Sequence, residues 1–588
     1  MSLLVFQSYR KVYSILPKPF RIKAILVITA IILNSFLELA GLAAIVPVIS
    51  IMLEENAIQN SELLTWLYNF FGFKSDKPLI VFIAFALLGV IILKNIAGLL
   101  ISKYNTQYIF SINKYLAVSI YEKLYSLGYS YFKSINSHEM IKDISSIPTY
   151  FSSGVVLPLL NLFNEVLVLA LIIVGLIIYD IKIVFLLATV VIPFFLIFYS
   201  SAKERITKIT EELIDLAPKV SRILYQSIFG YADTKITNTE KTFFKRYSTI
   251  LDEQIQLRVK DTIYKLAPSK IIEISMFLGI LSVLIYGVYF FDSRDQIITL
   301  IGIFAISAYR IMPSINRIMM ALLSIKSQQI SIEIIEKSYG ITLPSELEEQ
   351  NIDFNHSIEI KDIHFSYFEE GSTILNGISF TVLKGETIGI IGGSGSGKTT
   401  LMNILLRFLV QNSGEIIIDG TTIEPNHIKS WRDKIGYVPQ ELFIIEGTLE
   451  ENIAFGISSN EIDSSLVNEV ISKSSLSEVV KNLPLGVKTH IGENGSKLSG
   501  GQKQRLAIAR ALYSGAELLF FDEATSALDN ETEQEVTEAI NNLSNHNLTI
   551  IIIAHRYSTL KHCNKIVELK NGEVDNISTY EQLKKKII

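Results

Sequence analysis

The sequence predicts a multidomain membrane protein in which an all-α membrane half precedes an α/β domain. Its 588 residues are too many for one hydrophobic core. With 49% hydrophobic and only 19% charged residues, the chain is also more apolar than an ordinary soluble protein. From about Ile358 onward, strands and helices alternate across glycine-rich turns, which is typical of an α/β domain.

Six apolar segments are long enough to cross a membrane. The first thirty residues lack the short apolar core and small-residue cleavage site of a secretory leader. We therefore expect a retained amphipathic stretch that leads into the first span. The six segments are roughly 24–53, 79–101, 155–179, 183–198, 271–291 and 297–323, of which the fourth is the shortest.

Lysine and arginine accumulate in the two long connections, which follow the second and fourth segments. Because basic residues are retained on the cytoplasmic side, we predict that these connections and both termini are cytoplasmic. Apolar positions recur at helical spacing in both connections, so the membrane helices are expected to continue beyond the bilayer. The chain would be a multi-pass protein of the inner (plasma) membrane.

Composition divides the chain and excludes some partners. We predict a transmembrane domain at 1–326, a polar linker at 327–356 and a second domain at 357–588. The net charge of −5 is spread over the whole length, so no nucleic-acid partner is expected. The single cysteine, Cys563, excludes an intramolecular disulfide and is expected to be a small packing residue.

One glycine-rich loop, in TIGIIGGSGSGKTT, has the pattern of a phosphate-binding site. It lies between an apolar strand and a helical pattern, which is the context that such a loop requires. Gly392, Gly395 and Gly397 let backbone N–H groups close around phosphate oxygens at a helix start. Lys398 would supply a positive charge to the β and γ phosphates, and the Thr399 hydroxyl is placed for magnesium.

Two further stretches predict the remainder of a nucleotide site. In ELLFFDEATSALD, Asp522 and Glu523 end a buried strand, at the sheet edge where α/β folds bind ligands. Asp522 would hold magnesium, and Glu523 would orient or deprotonate the attacking water. In KLSGGQKQRLAIARAL, Ser499, Gly500 and Gly501 stand at a helix start, which implies a second anion-binding helix end.

These stretches, with YVPQ ending at Gln440 and IIIAHR containing His555, resemble the nucleotide-binding domain of ABC transporters. They follow the family's order and spacing from about residue 357 to 588. The resemblance implies an α/β P-loop ATPase domain with a helical subdomain, joined to a six-helix ABC exporter transmembrane domain. The implied ATP-binding residues are Tyr367, Gly392, Gly393, Ser394, Gly395, Ser396, Gly397, Lys398, Thr399, Thr400, Gln440, Ser499, Gly500, Gly501, Gln502 and Asp529.

The resemblance also implies roles for several of these residues. Tyr367 would stack on adenine, with packing against its own strand as the alternative. Gln440 and His555 would join Glu523 in catalysis, Gln440 at the magnesium and the water and His555 at the γ phosphate. The magnesium ligands would be Thr399, Gln440 and Asp522, and Asp529 would belong to the turn that links two ATP sites.

A dimer is implied as well. In this family the signature of one domain completes the ATP site of another, and the chain has one copy of each. A homodimer with two composite sites is the simplest closed assembly.

Two arginines lie in the last apolar segment, where hydrocarbon would be expected. Arg310 and Arg317 are seven residues apart and therefore lie about 20° apart on one helix face. A charge at membrane depth normally faces a cavity or a partner. With Lys94 and Lys270 they would line a cation-rich cavity suited to an anionic cargo, above all one bearing a pyrophosphate.

Internal salt bridges are the alternative for these cations. Glu38, Glu165 and Glu273 also lie in the apolar segments, and Lys270 with Glu273 could form an i,i+3 pair. Neither arginine has an acid close to it in the sequence.

The first external connection, SELLTWLYNFFGF, predicts a helix with an aromatic stripe at the membrane surface, although mere loop anchoring is an alternative. This helix and YRIMPSINR are similar to features of the flippases for lipid-linked oligosaccharides used in bacterial protein N-glycosylation. There the external helix is thought to hold the polyprenyl tail, and basic residues the pyrophosphate. The stripe comprises Leu63, Trp66, Leu67, Phe70 and Phe71.

The second resemblance implies an ATP-driven flippase of a polyprenyl-pyrophosphate glycan, surrounded by membrane lipids. Two other functions remain open. One is an exporter of peptides, drugs or other lipids, and the other is an ATP-regulated channel or a non-transporting regulator. The intact Glu523 and His555 weigh against the last, which does not need fast hydrolysis.

Overall fold

The chain folds into two units. The first comprises Met1–Leu127 and Tyr131–Leu343, and the second comprises Gly128–Ser130 and Pro344–Ile588. The boundary at residue 343 falls inside the predicted linker. This computed structural model describes residues 2–43, 62–73, 76–290, 294–340, 348–367, 371–523, 530–544, 548–554 and 556–587.

Every regular element described in the transmembrane half is a helix, as its apolar periodicity predicts. A π-helical turn at Ser152–Val156 joins the seventh helix to the eighth. The helices are α1 (Ser2–Ile15), α2 (Lys18–Ala43), α3 (Glu62–Phe70), α4 (Asp76–Ser126), α5 (Gly128–Ser134), α6 (Ser137–Ser145), α7 (Ile147–Phe151), α8 (Leu157–Phe229), α9 (Tyr231–Ile236), α10 (Glu240–Phe290), α11 (Arg294–Ser327) and α12 (Gln329–Tyr339).

Several of these helices are long and apolar enough to cross a membrane. Four described stretches qualify alone, and a fifth qualifies if α11 and α12, bent by 45° at their junction, count as one span. Helices α4 and α10 have 51 residues each, far more than the roughly 20 that a bilayer requires, so they extend beyond it as predicted. The four stretches are Lys18–Gly41, Pro78–Ser126, Ser137–Ile178 and Glu240–Phe290.

The third and fourth predicted segments both lie in α8, and the chain reverses its direction within that helix. Leu162 shares a buried cluster with Phe195 and Tyr199. In a straight helix, Leu162 and Tyr199 would be roughly 55 Å apart. Side chains on both sides of the turn, including Leu176 and Val184, line one apolar cavity. The turn therefore lies near residue 180, where the sequence separates the two segments.

The second unit contains two β-sheets. One is antiparallel with four strands in the order β2-β1-β4-β5, and the other has six strands in the order β10-β9-β3-β8-β7-β6. In the larger sheet all neighbours are parallel except β9 and β10. The strands are β1 (Ser357–Phe365), β2 (Leu375–Leu383), β3 (Thr387–Gly392), β4 (Ser413–Ile418), β5 (Thr421–Thr422), β6 (Ile435–Val438), β7 (Leu518–Asp522), β8 (Thr549–Ile553), β9 (Lys565–Lys570) and β10 (Glu573–Ser578).

The larger sheet is buried on both faces, because successive residues of a strand point to opposite sides. Phe520 and Ile551 pack in the cluster shared with the smaller sheet, whereas Phe521 and Ile552 pack in a second cluster with helices. The helices of this unit are α13 (Lys398–Leu405), α14 (Ile428–Asp433), α15 (Leu449–Ile453), α16 (Ser464–Lys473), α17 (Ser477–Asn482), α18 (Gly500–Tyr513), α19 (Asn530–Ser544) and α20 (Tyr580–Ile587).

A helical subdomain interrupts the larger sheet between β6 and β7. Helices α15 to α18 enclose their own apolar cluster, which includes Leu449, Val470 and Leu506. Arg510 of α18 links this helix to the chain before and within α15. Its guanidinium donates to the Asn452 carbonyl at 2.8 Å and to the Phe443 carbonyl at 2.9 Å. Burial lowers the pKa of Arg510 to about 10.

Cys563 is the chain's only cysteine and packs with Leu560 and Ile566 against the larger sheet. Burial raises the pKa of its thiol to about 12. This confirms the packing role that the sequence predicts.

We expect iodoacetamide to leave Cys563 unmodified in the folded protein at about pH 8. With its pKa raised to about 12, roughly one thiol in ten thousand would be ionised there, and only the thiolate reacts. Intact mass measured before and after denaturation checks this. Rapid stoichiometric alkylation of the native protein would contradict the packing.

Candidate functional site

Three neighbouring strands end at one edge of the larger sheet. Ile553 of β8 pairs with Ile390 of β3 on one side and with Asp522 of β7 on the other. Because parallel strands lie about 4.8 Å apart, the end of β7 is roughly 10 Å from the end of β3. The glycine loop that follows β3 and the carboxylates that end β7 therefore face the same space.

The glycine loop has backbone conformations that only glycine adopts without strain. Gly395 and Gly397 have φ of +76° and +98°. A Cβ at Gly397 would also lie 2.5 Å from Leu375 Cδ2, so no side chain fits there. The loop leads directly into α13, which places its N–H groups at a helix start.

Lys398 is held inside this loop. Its Nζ donates to the carbonyl oxygens of Gly392 at 2.9 Å and Gly393 at 3.1 Å. The Ser396 hydroxyl is buried without a hydrogen-bond partner among the described residues, and Thr399 is exposed. A cation, an unsatisfied hydroxyl and an exposed hydroxyl on one loop fit a phosphate group with its magnesium ion.

Tyr367 lies beside the loop. Its hydroxyl is 3.4 Å from the Thr400 hydroxyl, and its ring meets Phe365 edge to face at 5.1 Å. Half of the side chain remains exposed. The packing alternative and the stacking role are thus compatible, because the side chain packs on Phe365 and yet stays half exposed.

Asp522 and Glu523 are fixed in different ways. The Tyr437 hydroxyl donates to Asp522 Oδ2 at 3.4 Å, and burial together with the nearby Asp522 charge raises the pKa of Tyr437. Glu523 has φ of +51°, and its N–H donates to the Ile553 carbonyl at 3.1 Å. A positive φ is unfavourable for glutamate, and such strain concentrates at functional sites.

The predicted site residues His555 and Asp529 lie outside the described residues.

The signature stretch forms the predicted helix start, and the structure shows in addition that this start is capped. The Ser499 side chain accepts from the Gln502 N–H at 3.4 Å, and the Gln502 side chain accepts from the Ser499 N–H at 3.0 Å. Gly501 is packed so closely against Thr532 that a Cβ there would clash. The N–H groups of the first turn are therefore presented by a rigid element.

Sequence reasoning missed two residues that support the site. Gln504 is buried in α18, and its Nε2 donates to the Gln440 carbonyl at 2.8 Å. This hydrogen bond fixes the position of Gln440 relative to the signature helix. Arg556 pairs with the buried Glu533, which also accepts from the Ser558 hydroxyl at 2.6 Å. The only sequence signal for Gln504 is a polar residue at a buried helical position.

In the membrane half, both arginines of α11 are paired with acids from other helices. Arg310 pairs with Glu38 of α2. Arg317 makes a two-pronged contact with Glu165 of α8, at 2.8 Å and 3.3 Å. The Glu165 side chain is 5% exposed and that of Arg317 is 46% exposed. The structure thus shows the pairing that sequence reasoning kept as an alternative.

Asparagines connect the two ion pairs. Asn34 Nδ2 lies 3.5 Å from Glu38 Oε1 and 3.4 Å from Asn164 Oδ1. Asn164 Nδ2 in turn donates to Glu165 Oε1 at 3.2 Å. The result is a continuous polar network across α2, α8 and α11, inside the apolar segments.

The two predicted lysines differ from each other. Lys94 lies against Gly41, three residues after Glu38, and a Cβ at Gly41 would be 2.8 Å from Lys94 Cδ. Lys270 lies on the surface and pairs with Glu273 at 3.1 Å, as the i,i+3 spacing predicts. The structure therefore places Lys94 and both arginines around α2, α8 and α11, and Lys270 apart on α10.

Arg317 also reaches a cavity of about 460 Å³. Two further cations, Arg258 and Lys265, line this cavity, and Asp261 pairs with Lys265 at 2.5 Å. The polar lining includes Asn161 and Gln328. The cavity is consequently open to an anionic or hydroxyl-rich group.

The predicted external helix forms as α3. The rings of Trp66 and Phe70 stack at 5.0 Å and are largely exposed. Phe71 lies just beyond the helix and packs on Phe82 of α4 at 4.6 Å. The side chains of Leu63 and Leu67 lie outside the described residues, so the stripe is visible only in its aromatic members.

Known proteins are similar to this chain in both halves. A family model described as ABC transporter matches residues 375–526. An ATP-dependent lipid A-core flippase of Francisella novicida is 31% identical over 404 residues, which cover 67% of this chain and 67% of the relative. A protein of the same description from Saccharophagus degradans is 41% identical over 226 residues, but the chain spans only 38% of its length.

A solved structure shows the same fold over nearly the whole chain. It is described as "Structure of a bacterial Atm1-family ABC exporter with ATP bound", and the TM-score is 0.74 at 22% identity. The match covers 97% of this chain and 96% of the other. The predicted fold class is therefore confirmed.

The intramembrane pairs lead to a prediction about stability. Arg317→Leu alone would strand the buried Glu165 carboxylate and lower the free energy of unfolding by about 3–5 kcal/mol. The double variant Arg317→Leu with Glu165→Leu should regain most of that loss, because no uncompensated charge remains. Thermal unfolding in detergent measures both.

Lys473→Leu provides the control, since its exposed i,i+4 pair with Glu469 lies outside the apolar segments and should be worth about 0–1 kcal/mol. A double variant no more stable than Arg317→Leu would show that the two side chains are not energetically coupled.

Proposed function

Since this chain belongs to the ABC exporter family, we propose that it hydrolyses ATP to move an anionic lipid-linked glycan across the membrane. The observation that carries the ATPase part is the shared sheet edge, where the Lys398 loop and the Asp522–Glu523 pair face one space. The observation that carries the cargo part is Arg317, a half-exposed guanidinium in a cavity within the membrane half.

In the ATPase part, each group has a chemical role that its position supports. The loop N–H groups and Lys398 bind the phosphates, and Tyr367 offers a ring face to the base. Magnesium, held by Asp522, Thr399 and Gln440, would offset phosphate charge. Glu523 would orient or deprotonate the attacking water, and Gln440 would contact it. His555 lies outside the described residues, and its role at the γ phosphate is what the family resemblance implies.

We propose a homodimer because one chain supplies only half of each site. The capped start of α18 presents N–H groups and a helix dipole suited to a γ phosphate. In the family arrangement these groups, Ser499 to Gln502, act on ATP bound to the second copy. Two such sites, each with a loop from one chain and a signature from the other, close the dimer symmetrically.

Charged and polar groups lie inside the apolar membrane half, where an anionic cargo could use them. The pairs with Glu38 and Glu165 neutralise the arginines while no cargo is bound, yet buried polar atoms remain on α11. Arg310 Nε, Ser314 Oγ and Asn316 Oδ1 are buried without hydrogen-bond partners in the described part of the chain. Polar groups of this kind are normally satisfied by water or a ligand. A phosphate-bearing head group would accept from Arg310 Nε and the Ser314 hydroxyl, whereas Asn316 Oδ1 only accepts and would need a water or a sugar hydroxyl.

The cargo of this chain is expected to be a lipid. The relatives' description, lipid A-core flippase, favours a lipid cargo over a peptide or a drug. We further propose a polyprenyl-pyrophosphate glycan, because a hydroxyl-rich oligosaccharide head fits a cavity lined by cations and amides, and a long tail needs an apolar surface such as α3. Another anionic glycolipid is the second candidate, which the same relatives favour.

We expect Glu523→Gln to bind ATP but to turn it over at least about a hundredfold more slowly, because the water loses its base while the phosphate loop stays intact. Steady-state hydrolysis and nucleotide retention in purified dimer measure this. Glu446→Gln, which changes an exposed acid of the same domain, should hydrolyse at the normal rate. Undiminished turnover in Glu523→Gln would remove that residue from the mechanism.

We also expect the double variant Arg317→Gln with Glu165→Gln to lose flipping of a polyprenyl-pyrophosphate glycan in proteoliposomes. This change removes the guanidinium without stranding a carboxylate, so stability and transport are separated. ATP hydrolysis is measured in the same vesicles, and loss of both activities together would indicate structural damage. The matched control is Lys473→Gln with Glu469→Gln, an exposed pair outside the apolar segments. Normal flipping by the Arg317 double variant would exclude this cation from cargo recognition.

A further inference from the structure

The stretch before the first span is basic and contains no acid. Between residues 1 and 37 there are five cations and no aspartate or glutamate. A topology signal alone would explain an excess of cations. It would not explain why one of them, Arg10, follows directly after a residue that lines an apolar groove, Tyr9. The five are Arg10, Lys11, Lys18, Arg21 and Lys23.

The two adjacent cations of α1, Arg10 and Lys11, lie on different sides of the helix. Phe6 and Tyr9 line a groove on one side of the helix. Arg10 follows Phe6 by one turn, about 40° around the axis, and is exposed. Lys11 lies on the other side and pairs with Glu336 of α12 at 2.7 Å. No ion pair involves Arg10 within the described ranges, so its charge stands at the edge of the groove.

The groove is apolar and large, with a volume of about 820 Å³. Besides α1, its walls come from α2, α8 and α11, and they include Ile28, Phe163, Val166 and Ile318. Ile28 is ten residues beyond Lys18, the first residue of α2, which corresponds to roughly 15 Å of helix rise. That is about half of a 30 Å hydrocarbon core, the depth to which one lipid chain of a single leaflet extends.

We propose that this groove binds one anionic phospholipid of the surrounding bilayer. A hydrocarbon chain lies between Phe6, Phe163 and Val166, and the head-group phosphate contacts Arg10. Exposed aromatic rings and unpaired cations on an interfacial helix are the features that select an anionic over a zwitterionic lipid. The site is separate from the proposed cargo residues and does not depend on transport.

The experiment uses the full chain in detergent and native mass spectrometry. Phosphatidylglycerol and phosphatidylcholine with identical acyl chains are titrated separately. We expect one phosphatidylglycerol per protomer to bind about tenfold more tightly than phosphatidylcholine, because only the former carries net charge. Arg10→Ala and Phe6→Ala should each weaken that binding about five- to tenfold.

Lys18→Ala is the matched control, because it removes an exposed cation from the same basic stretch that, unlike Arg10, does not adjoin a groove-lining residue. It should change the affinity by less than about twofold, and Arg10→Lys should retain most of the binding, which excludes misfolding as the cause. Equal affinity for the two lipids, or equal weakening by Lys18→Ala, would overturn the proposal in favour of general electrostatic attraction. Displacement of phosphatidylglycerol by a polyprenyl pyrophosphate would overturn it too, since the groove would then belong to the cargo.

Discussion

The membrane half depends on the compensation of charge in a medium that cannot solvate it. An isolated guanidinium within the bilayer costs several kcal/mol, and the structure meets that cost by bringing in carboxylates from other helices. The Arg310–Glu38 pair joins α11 to α2, and the Arg317–Glu165 pair joins α11 to α8. A hydrogen bond between Asn34 and Asn164 connects the two pairs. The packing of these three helices is therefore specified by polar contacts as well as by apolar surface.

The same constraint governs the second unit, with a different solution. Lys398 is buried and has no carboxylate beside it in the glycine loop; instead its ammonium donates to two loop carbonyls. These contacts keep the cation in position while leaving its full charge available to a phosphate. An ion pair would have to be broken before phosphate bound, whereas carbonyl contacts can be exchanged for phosphate oxygens at lower cost.

Local chemistry could be predicted from the sequence, whereas contacts between distant residues could not. The glycine loop, the acids after β7 and the capped signature helix each follow from a few adjacent residues, and the reversal near residue 180 follows from a break between apolar segments. Glu165 and Arg317 are 152 residues apart, so no periodicity relates them. Gln504 and Arg556 were missed for the same reason: each acts on a partner brought close only by tertiary folding.

The paired state of Arg317 constrains how an anionic cargo could bind. A phosphate placed beside Arg317 while Glu165 stays in contact would set two negative groups against one guanidinium in a low-dielectric site, which is unfavourable. Glu165 is almost fully buried and Arg317 half exposed, so the guanidinium is the group that can turn toward the cavity. Cargo binding would then weaken the contact between α8 and α11. Because both helices belong to the membrane half, cargo bound in the cavity would be linked to helix packing through the Arg317 side chain.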